Sequence, residues 1–443
     1  MLLASQPAFA LSLKEAIQMA LSEHPRVGIA QQNLRASEYR LDAANSELLP
    51  KVDIDADVGK QYVDRPGSLS KANNARWWLR QQATVTGSLV LFDGMQRANA
   101  IYRDAAHVDA ASLQVVAQSE ALALSVIEAY IDYRRHKYLL KIADDNINYH
   151  WNILKLARER LAGGKGLQSD VDQVQERLFG AQAARAEIKL ASYETDAKFK
   201  EAVGVEPGVT EPVNYPSGIP ASKQAAVDLA NAKNPTLAAS DAEAEAFGFE
   251  YERTKSELFP TLSLEGSAQV GHDLDAVPGR NDDYGVKLRL TWQIYDGGLR
   301  TARIGEASAN AAEARLKHDL QLREITKSVE ATYGRLLASK ERLDAINEQV
   351  AAAERVAASY KKEYEASRRS LLDLLDAQRA VFTSRFQQAS ISGVRLFTAY
   401  MVKAETGTLL SSMGLSAPAA DVDYGNVFLP SSFNKPLQIE PLR

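Results

Sequence analysis

The 443-residue chain contains no cysteine. That excludes disulfides, thiolate metal sites, nucleophilic thiols and lipid attachment at an N-terminal cysteine. A large surplus of charge is lacking as well. The 52 Lys and Arg stand against 57 Asp and Glu, a net charge of −5, which is too weak and of the wrong sign for a nucleic-acid partner. No apolar run approaches the roughly 18 residues of a membrane-spanning helix, and the most apolar late segment, 391–402, carries Arg395. Histidines at 24, 107, 136, 150, 272 and 318 form no H-E-x-x-H or similar cluster, so no metal is assigned. No P-loop, G-x-S-x-G or G-x-G-x-x-G occurs; nothing points to catalysis or a cofactor.

Proline is missing from 296–364, where only Gly297, Gly298, Gly305 and Gly334 interrupt a run rich in Ala, Glu, Lys, Arg and Leu. Leu322, Val329, Leu336, Leu343, Val350 and Ala357 recur every seven residues, interleaved with Ile325, Thr332, Ser339, Ile346, Ala353 and Tyr360. This spacing predicts a long helix packed along a narrow seam. At about 1.5 Å per residue it would run about 100 Å, too long for a compact globule.

The sequence is an internal duplication. Pro25 recurs as Pro235, and Glu47-Leu48-Leu49-Pro50 as Glu257-Leu258-Phe259-Pro260, at an offset of 210. Phe92-Asp93-Gly94 matches Tyr295-Asp296-Gly297, and Arg97 matches Arg300, at an offset of 203. Tyr130/Tyr333, Gln175/Gln378 and Gly204/Gly407 keep the second offset, so the first half carries seven extra residues between Pro50 and Asp93. Duplication on this scale suits a symmetric assembly of like units.

The expected divisions are a first repeat over 11–204, a linker over 205–220, a second repeat over 221–412 and a tail over 413–443. Each repeat opens with two short helices that break at His24-Pro25 or Asn234-Pro235, because the residue before proline resists the helical region. Hydrophobicity then alternates with period two, as in Val52, Ile54, Ala56 and Val58, or Val286, Leu288, Leu290, Trp292 and Ile294. Such alternation predicts β-hairpins over 51–92 and 261–295. Asp-Gly marks each exit into a long helix pair, 94–203 and 297–412, with N-cap and permissive-glycine roles expected for Asp93-Gly94 and Asp296-Gly297.

Four strands cannot close a barrel, since the smallest have about eight, and an open sheet in water would leave two edges and an apolar face bare. An oligomeric outer-membrane barrel resolves this, with polar residues such as Lys287 and Arg289 inward and Trp77, Trp78 and Trp292 as interfacial aromatics. The first ten residues, ending Ala8-Phe9-Ala10, read as the remnant of a secretory signal.

Leu13-Lys14-Glu15-Ala16, Asn234-Pro235, the two Leu/Phe-Pro stops, Phe92-Asp93-Gly94 and Tyr295-Asp296-Gly297-Gly298 together resemble the TolC family of outer-membrane efflux and secretion channels. The element order matches over about 11–412. The resemblance implies a homotrimer in outer-membrane lipid, with a twelve-stranded barrel continuous with a twelve-helix periplasmic tube. It also implies partners: a periplasmic adaptor (membrane fusion) protein and an inner-membrane transporter. The pattern around Leu91-Phe92-Asp93-Gly94 leans toward the secretion branch. Tyr364 and Arg369 match the family's closed-state gate, Asp170 its partner carboxylate, and Asp373 with Asp376 the acid ring of the pore. The residues by themselves allow another reading. Ser370 with Asp373, and Ser169 with Asp172, are S-x-x-D capping patterns, and an acid in a first helical turn suits the dipole, so Asp373 and Asp170 also read as helix caps. A soluble coiled-coil scaffold or adaptor in the periplasm is the alternative function, and it would need the strands packed away from lipid.

Overall fold

In the computed structural model the described residues are 10–65, 67 and 73–418. All of the expected signal remnant but Ala10 lies outside them, as does the tail beyond 418.

The duplication is visible element by element. Helices α1 (Leu13–Glu23) and α2 (Pro25–Ser46) recur as α5 (Lys223–Lys233) and α6 (Pro235–Lys255), at the offset of 210. Strands β1 (Lys51–Val63) and β2 (Arg76–Phe92) recur as β3 (Thr261–His272) and β4 (Arg280–Thr291). Long helices α3 (Gln96–Ala162) and α7 (Leu299–Glu365) start and stop 203 residues apart, as do the starts of the returning helices α4 (Gln168–Val203) and α8 (Leu371–Glu405). A last turn, α9, covers Leu409–Ser412. Of the seven extra residues in the first half, five sit in the hairpin loop, 64–75 against 273–279.

Side chains explain the breaks. Asn234 Oδ1 accepts the amides of Thr236 and Leu237, capping α6, while its Nδ2 donates to the carbonyl of Glu405 at the end of α8. His24 Nδ1 accepts the amide of Arg26 at the matching place. Each cap satisfies amides that the first helical turn leaves open.

The four strands form one antiparallel sheet in chain order. Its faces are sorted by the alternation. Asp53, Thr86 and Ser267 share one row of the polar face, while Ile54, Val85 and Ala268 share a row of the other. That other face is bare: Ile54 is 73% and Val286 78% exposed. Among the described residues both outer strands, β1 and β4, have an unpaired edge. β4 ends at Thr291, opposite Thr261 where β3 starts, so Trp292 and Ile294 fall beyond the strand in which the alternation had placed them. Trp78 is also corrected. It is buried with Val63 and Ala276 beneath the hairpin loop rather than exposed at an interface.

Along α7 the heptad seam is the buried face: Ile325, Val329, Leu336, Ile346, Val350 and Ala357 are all buried. The thickest core lies at mid-height, where Leu122, Val126, Ile127 and Tyr130 of α3 meet Ile17 of α1 and Phe199 of α4. Among the described residues one helix, α3, holds a stretch long and apolar enough in average composition to cross a membrane, though Glu120 and Glu128 interrupt it and half of it is buried within the chain. Tyr130 fastens the linker through the carbonyl of Glu211, and its counterpart Tyr333 does so through that of Pro220.

Candidate functional site

Each long helix pair turns at its far end from the sheet, through 163–167 or 366–370. Both turns place one residue in the left-handed region at the same point of the repeat, Gly164 (φ 69°) and Ser367 (φ 60°). The two tips pack together: Ile153, Leu154, Val174 and Leu178 share a core with Tyr364, Leu374 and Leu375.

One cation joins the tips. Arg160, in the last turn of α3, donates to the carbonyl of Tyr364 at 2.8 Å and to Ser367 Oγ at 3.1 Å. Its guanidinium also lies 4.7 Å from the centre of the Tyr364 ring. Tyr364 is buried, and that burial pushes its phenol above the usual range; the charge of Asp170 adds to the shift and Arg160 opposes it. Arg160, Asp170 and Tyr364 therefore share one corner. Sequence reasoning missed Arg160. Its contact spans 204 residues of chain, and the only local signal was a base beside the glycine-rich turn.

Arg369 is held within its own hairpin. Its Nε donates to Glu363 at 2.9 Å, its guanidinium lies 4.0 Å from the Tyr360 ring centre, and Asp373 is 3.8 Å away. Among the described residues no contact joins Arg369 to Asp170. The Asp170 carboxylate instead accepts the amide of Leu167 at 3.2 Å. Helix α4 therefore begins one residue before Ser169, and the capping acid is Asp170; the expected Ser169/Asp172 pair does not form. The Ser370 cap does form, with Asp373 N donating to Ser370 Oγ at 3.2 Å and that hydroxyl donating to Asp373 Oδ2 at 2.8 Å. Asp376, one turn further on, is exposed and makes no hydrogen bond or ion pair among the described residues. Asp373 is thus tied to a cap and a nearby cation, while the charge of Asp376 stands open.

Above the tips, a groove of about 340 Å³ opens between α3, α7 and α8, lined by Asp145, Tyr149, Glu354, Lys361 and Arg385 among others. Its lining mixes charges of both signs with the apolar side chains of Ile142, Val381 and Phe382.

Residues 16–205 and 226–398 match the family model described as outer membrane efflux protein. The outer membrane efflux protein BepC of Brucella suis is 24% identical over 391 residues, covering 85% of this chain and 81% of that one. The alkaline protease secretion protein AprF of Pseudomonas aeruginosa is 23% identical over 396 residues, covering 87% and 82%. Among solved structures, the outer membrane protein VceC of Vibrio cholerae superposes with a TM-score of 0.77 at 16% identity, over 92% of this chain and 97% of that one.

Proposed function

The chain belongs to the outer membrane efflux protein family and is an outer-membrane exit channel reaching into the periplasm; from that premise we propose how it assembles and is gated. Three copies close one barrel of twelve strands above a tube of twelve helices. The observation that carries this is the four-stranded sheet, bare on its apolar face and unpaired at both edges. Lipid covers such a face without cost, whereas water does not. The same exposure counts against a soluble scaffold, which would have buried Ile54 and Val286 against helices.

The channel is a passive duct. Relatives are named for efflux and for protease secretion, and one gated pore driven from the inner membrane serves either cargo. The hairpin tips form the periplasmic mouth. Arg160 locks the two hairpins of each copy together. Arg369 and Tyr364 set the closed state against Asp170 of a neighbouring copy, and Asp373 with Asp376 ring the opening with carboxylates. The groove above the tips, with its mixed charged and apolar lining, receives a periplasmic adaptor protein, which links the duct to an inner-membrane transporter.

Mass by light scattering in detergent tests the assembly. Three chains per particle is expected; a monodisperse monomer or dimer would overturn it.

A further inference from the structure

The two free edges of the sheet carry opposite charge on the same face. On β1 the polar face bears Asp53, Asp55 and Asp57. On β4 it bears Lys287 and Arg289, 61% and 54% exposed, which share a single carboxylate, Glu265, at 3.3 and 2.8 Å. One cation of that pair is left over. Asp57 has Arg80 at 3.6 Å, while Asp53 and Asp55 have no ion pair among the described residues.

We propose that this acidic row is a register key: Asp55 of one copy faces Lys287 or Arg289 on β4 of the next. The inference rests on the three-copy barrel above and specifies its seams. Following partners across the sheet, Lys51 lies level with Ser88, Glu265 and Lys287. Facing of like residues requires an even stagger at the seam, because one step turns every side chain to the other face. With no stagger Lys287 would meet Lys51, and Asp283 would meet Asp55. A stagger of about two would set Asp53 opposite Lys287 but also Arg289 against Lys51 and Asp283 against Asp57, so two like-charge pairs outweigh one opposite-charge pair. A stagger of about four sets Asp53 opposite Arg289 and Asp55 opposite Lys287; about six sets Asp55 opposite Arg289 and Asp57 opposite Lys287.

Closure selects the same two. With about 3.3 Å per residue and about 4.8 Å between strands, staggers of about four and six tilt twelve strands by roughly 35° and 46°, while about two gives only roughly 19°. Barrels tilt by about 35–45°. A stagger in the opposite sense would carry the partner past Lys51 into α2, where no strand exists. In both allowed registers Asp55 meets a base, and Val58 meets Val286 or Tyr284 on the lipid face.

The absence of native cysteine makes the test direct. Asp55→Cys is combined with Lys287→Cys, or with Arg289→Cys, and oxidised in detergent. One pair should give covalently linked chains on a non-reducing gel, and which pair links reads the stagger. A third pair, Asp55→Cys with Asp283→Cys, reports the unstaggered seam. Linking only there, or in none of the three while light scattering still finds three chains, would overturn the key but leave the assembly standing. Particles of fewer than three chains in the unmutated protein would fell both. Asp55→Lys should lower the temperature at which the assembly dissociates, while Asp53→Asn leaves it within a degree or two if the stagger is the larger one.

Discussion

Arg97 and Arg300, 203 residues apart, make the same three contacts in the two halves of the chain. Arg97 pairs with Asp93 at 2.6 Å and donates to the carbonyls of Glu47 at 3.0 Å and Val90 at 2.9 Å. Arg300 pairs with Asp296 at 2.8 Å and donates to the carbonyls of Glu257, at 3.0 Å, and Gln293. Each guanidinium thus ties the end of a short helix, the end of a strand and the start of a long helix at the point where barrel becomes tube. Asp296 further accepts the amides of Gly298 and Arg300, which holds its carboxyl below the usual range. The Asp-Gly motifs do cap their helices, but through this bridge rather than as the last residue before the helix.

Arg300→Ala should therefore be strongly destabilising. Both partners of the pair are about nine-tenths buried, and removing the guanidinium takes away the ion pair and both carbonyl contacts at once, leaving the Asp296 carboxylate with backbone amides alone. Arg300→Lys should rescue little, because an ammonium on a flexible stem cannot serve three acceptors in a fixed fork. Melting of the detergent-solubilised assembly checks this. Lysine behaving like wild type would mean the charge alone matters.

How much of this was legible beforehand depended on the range of the contact. The seam of α7 was readable because its burial follows a local period, and the sheet faces because alternation is local too. The Ser370 cap was readable for the same reason. Asp170 was readable as a capping acid, but the Ser169–Asp172 pattern beside it was not used, because α4 starts one residue earlier, at Gln168, and Leu167 offers no side-chain signal for an N-cap. Trp78 could not be placed, because its burial depends on Ala276 in the loop of the other half. The Arg160–Tyr364 contact depends on two hairpin tips meeting in space, which no period encodes.

Glu120 supplies a pH dependence. It is buried, and its carboxylate accepts the amides of Leu409 and Leu410 at 3.2 Å each. Burial outweighs those bonds and pushes its pKa up to about 7. The folded chain therefore binds a proton that the unfolded chain releases near the ordinary 4.5. Stability from this group is complete below that ordinary value and is lost as pH rises through about 7, by up to about 3 kcal/mol per chain. Melting should fall between pH 5 and pH 8, and Glu120→Gln should flatten the slope. A slope unchanged in the variant would assign the dependence elsewhere.

Gly204 and Gly407 hold equivalent places but should not respond alike. Both are left-handed, at φ 90° and 63°. A Cβ on Gly204 would meet nothing within 4 Å, whereas on Gly407 it would collide with the backbone carbonyl of Lys233. Gly204→Ala should cost about 1 kcal/mol, the left-handed penalty alone. Gly407→Ala should cost several times more, because α5 must move away from the end of α8. Thermal melts of the two variants decide it, and equal losses would refute the packing argument.

At the mouth, Arg160→Ala should loosen the tips within each copy. It removes two charge-assisted hydrogen bonds and a ring contact, together about 2 kcal/mol. Single-channel conductance in planar bilayers should rise, as it should for Arg369→Ser combined with Tyr364→Phe. If Arg160→Ala opens the pore and the double variant does not, the lock lies within a copy and Arg369 only shapes its own turn.

Asp373 and Asp376 separate capping from pore electrostatics. The Ser370–Asp373 pair is a cap, and Asp373 lies 3.8 Å from Arg369, so Asp373→Ala should cost about 0.5–2 kcal/mol locally. Its charge is already partly answered by that cation. Asp376 has no such partner among the described residues, so Asp376→Ala should leave melting unchanged. If the tips surround the opening in a three-copy assembly, three open Asp376 carboxylates face one another across a narrow space, where acid rings concentrate cations. Asp376→Ala should then lower cation selectivity more than Asp373→Ala does, and weaken blockade by a trivalent cation added from the periplasmic side. The opposite ranking would place the ring at Asp373. If selectivity and blockade stay at wild type in both variants and in the pair, the two acids serve the helix and the pore draws its charge from elsewhere.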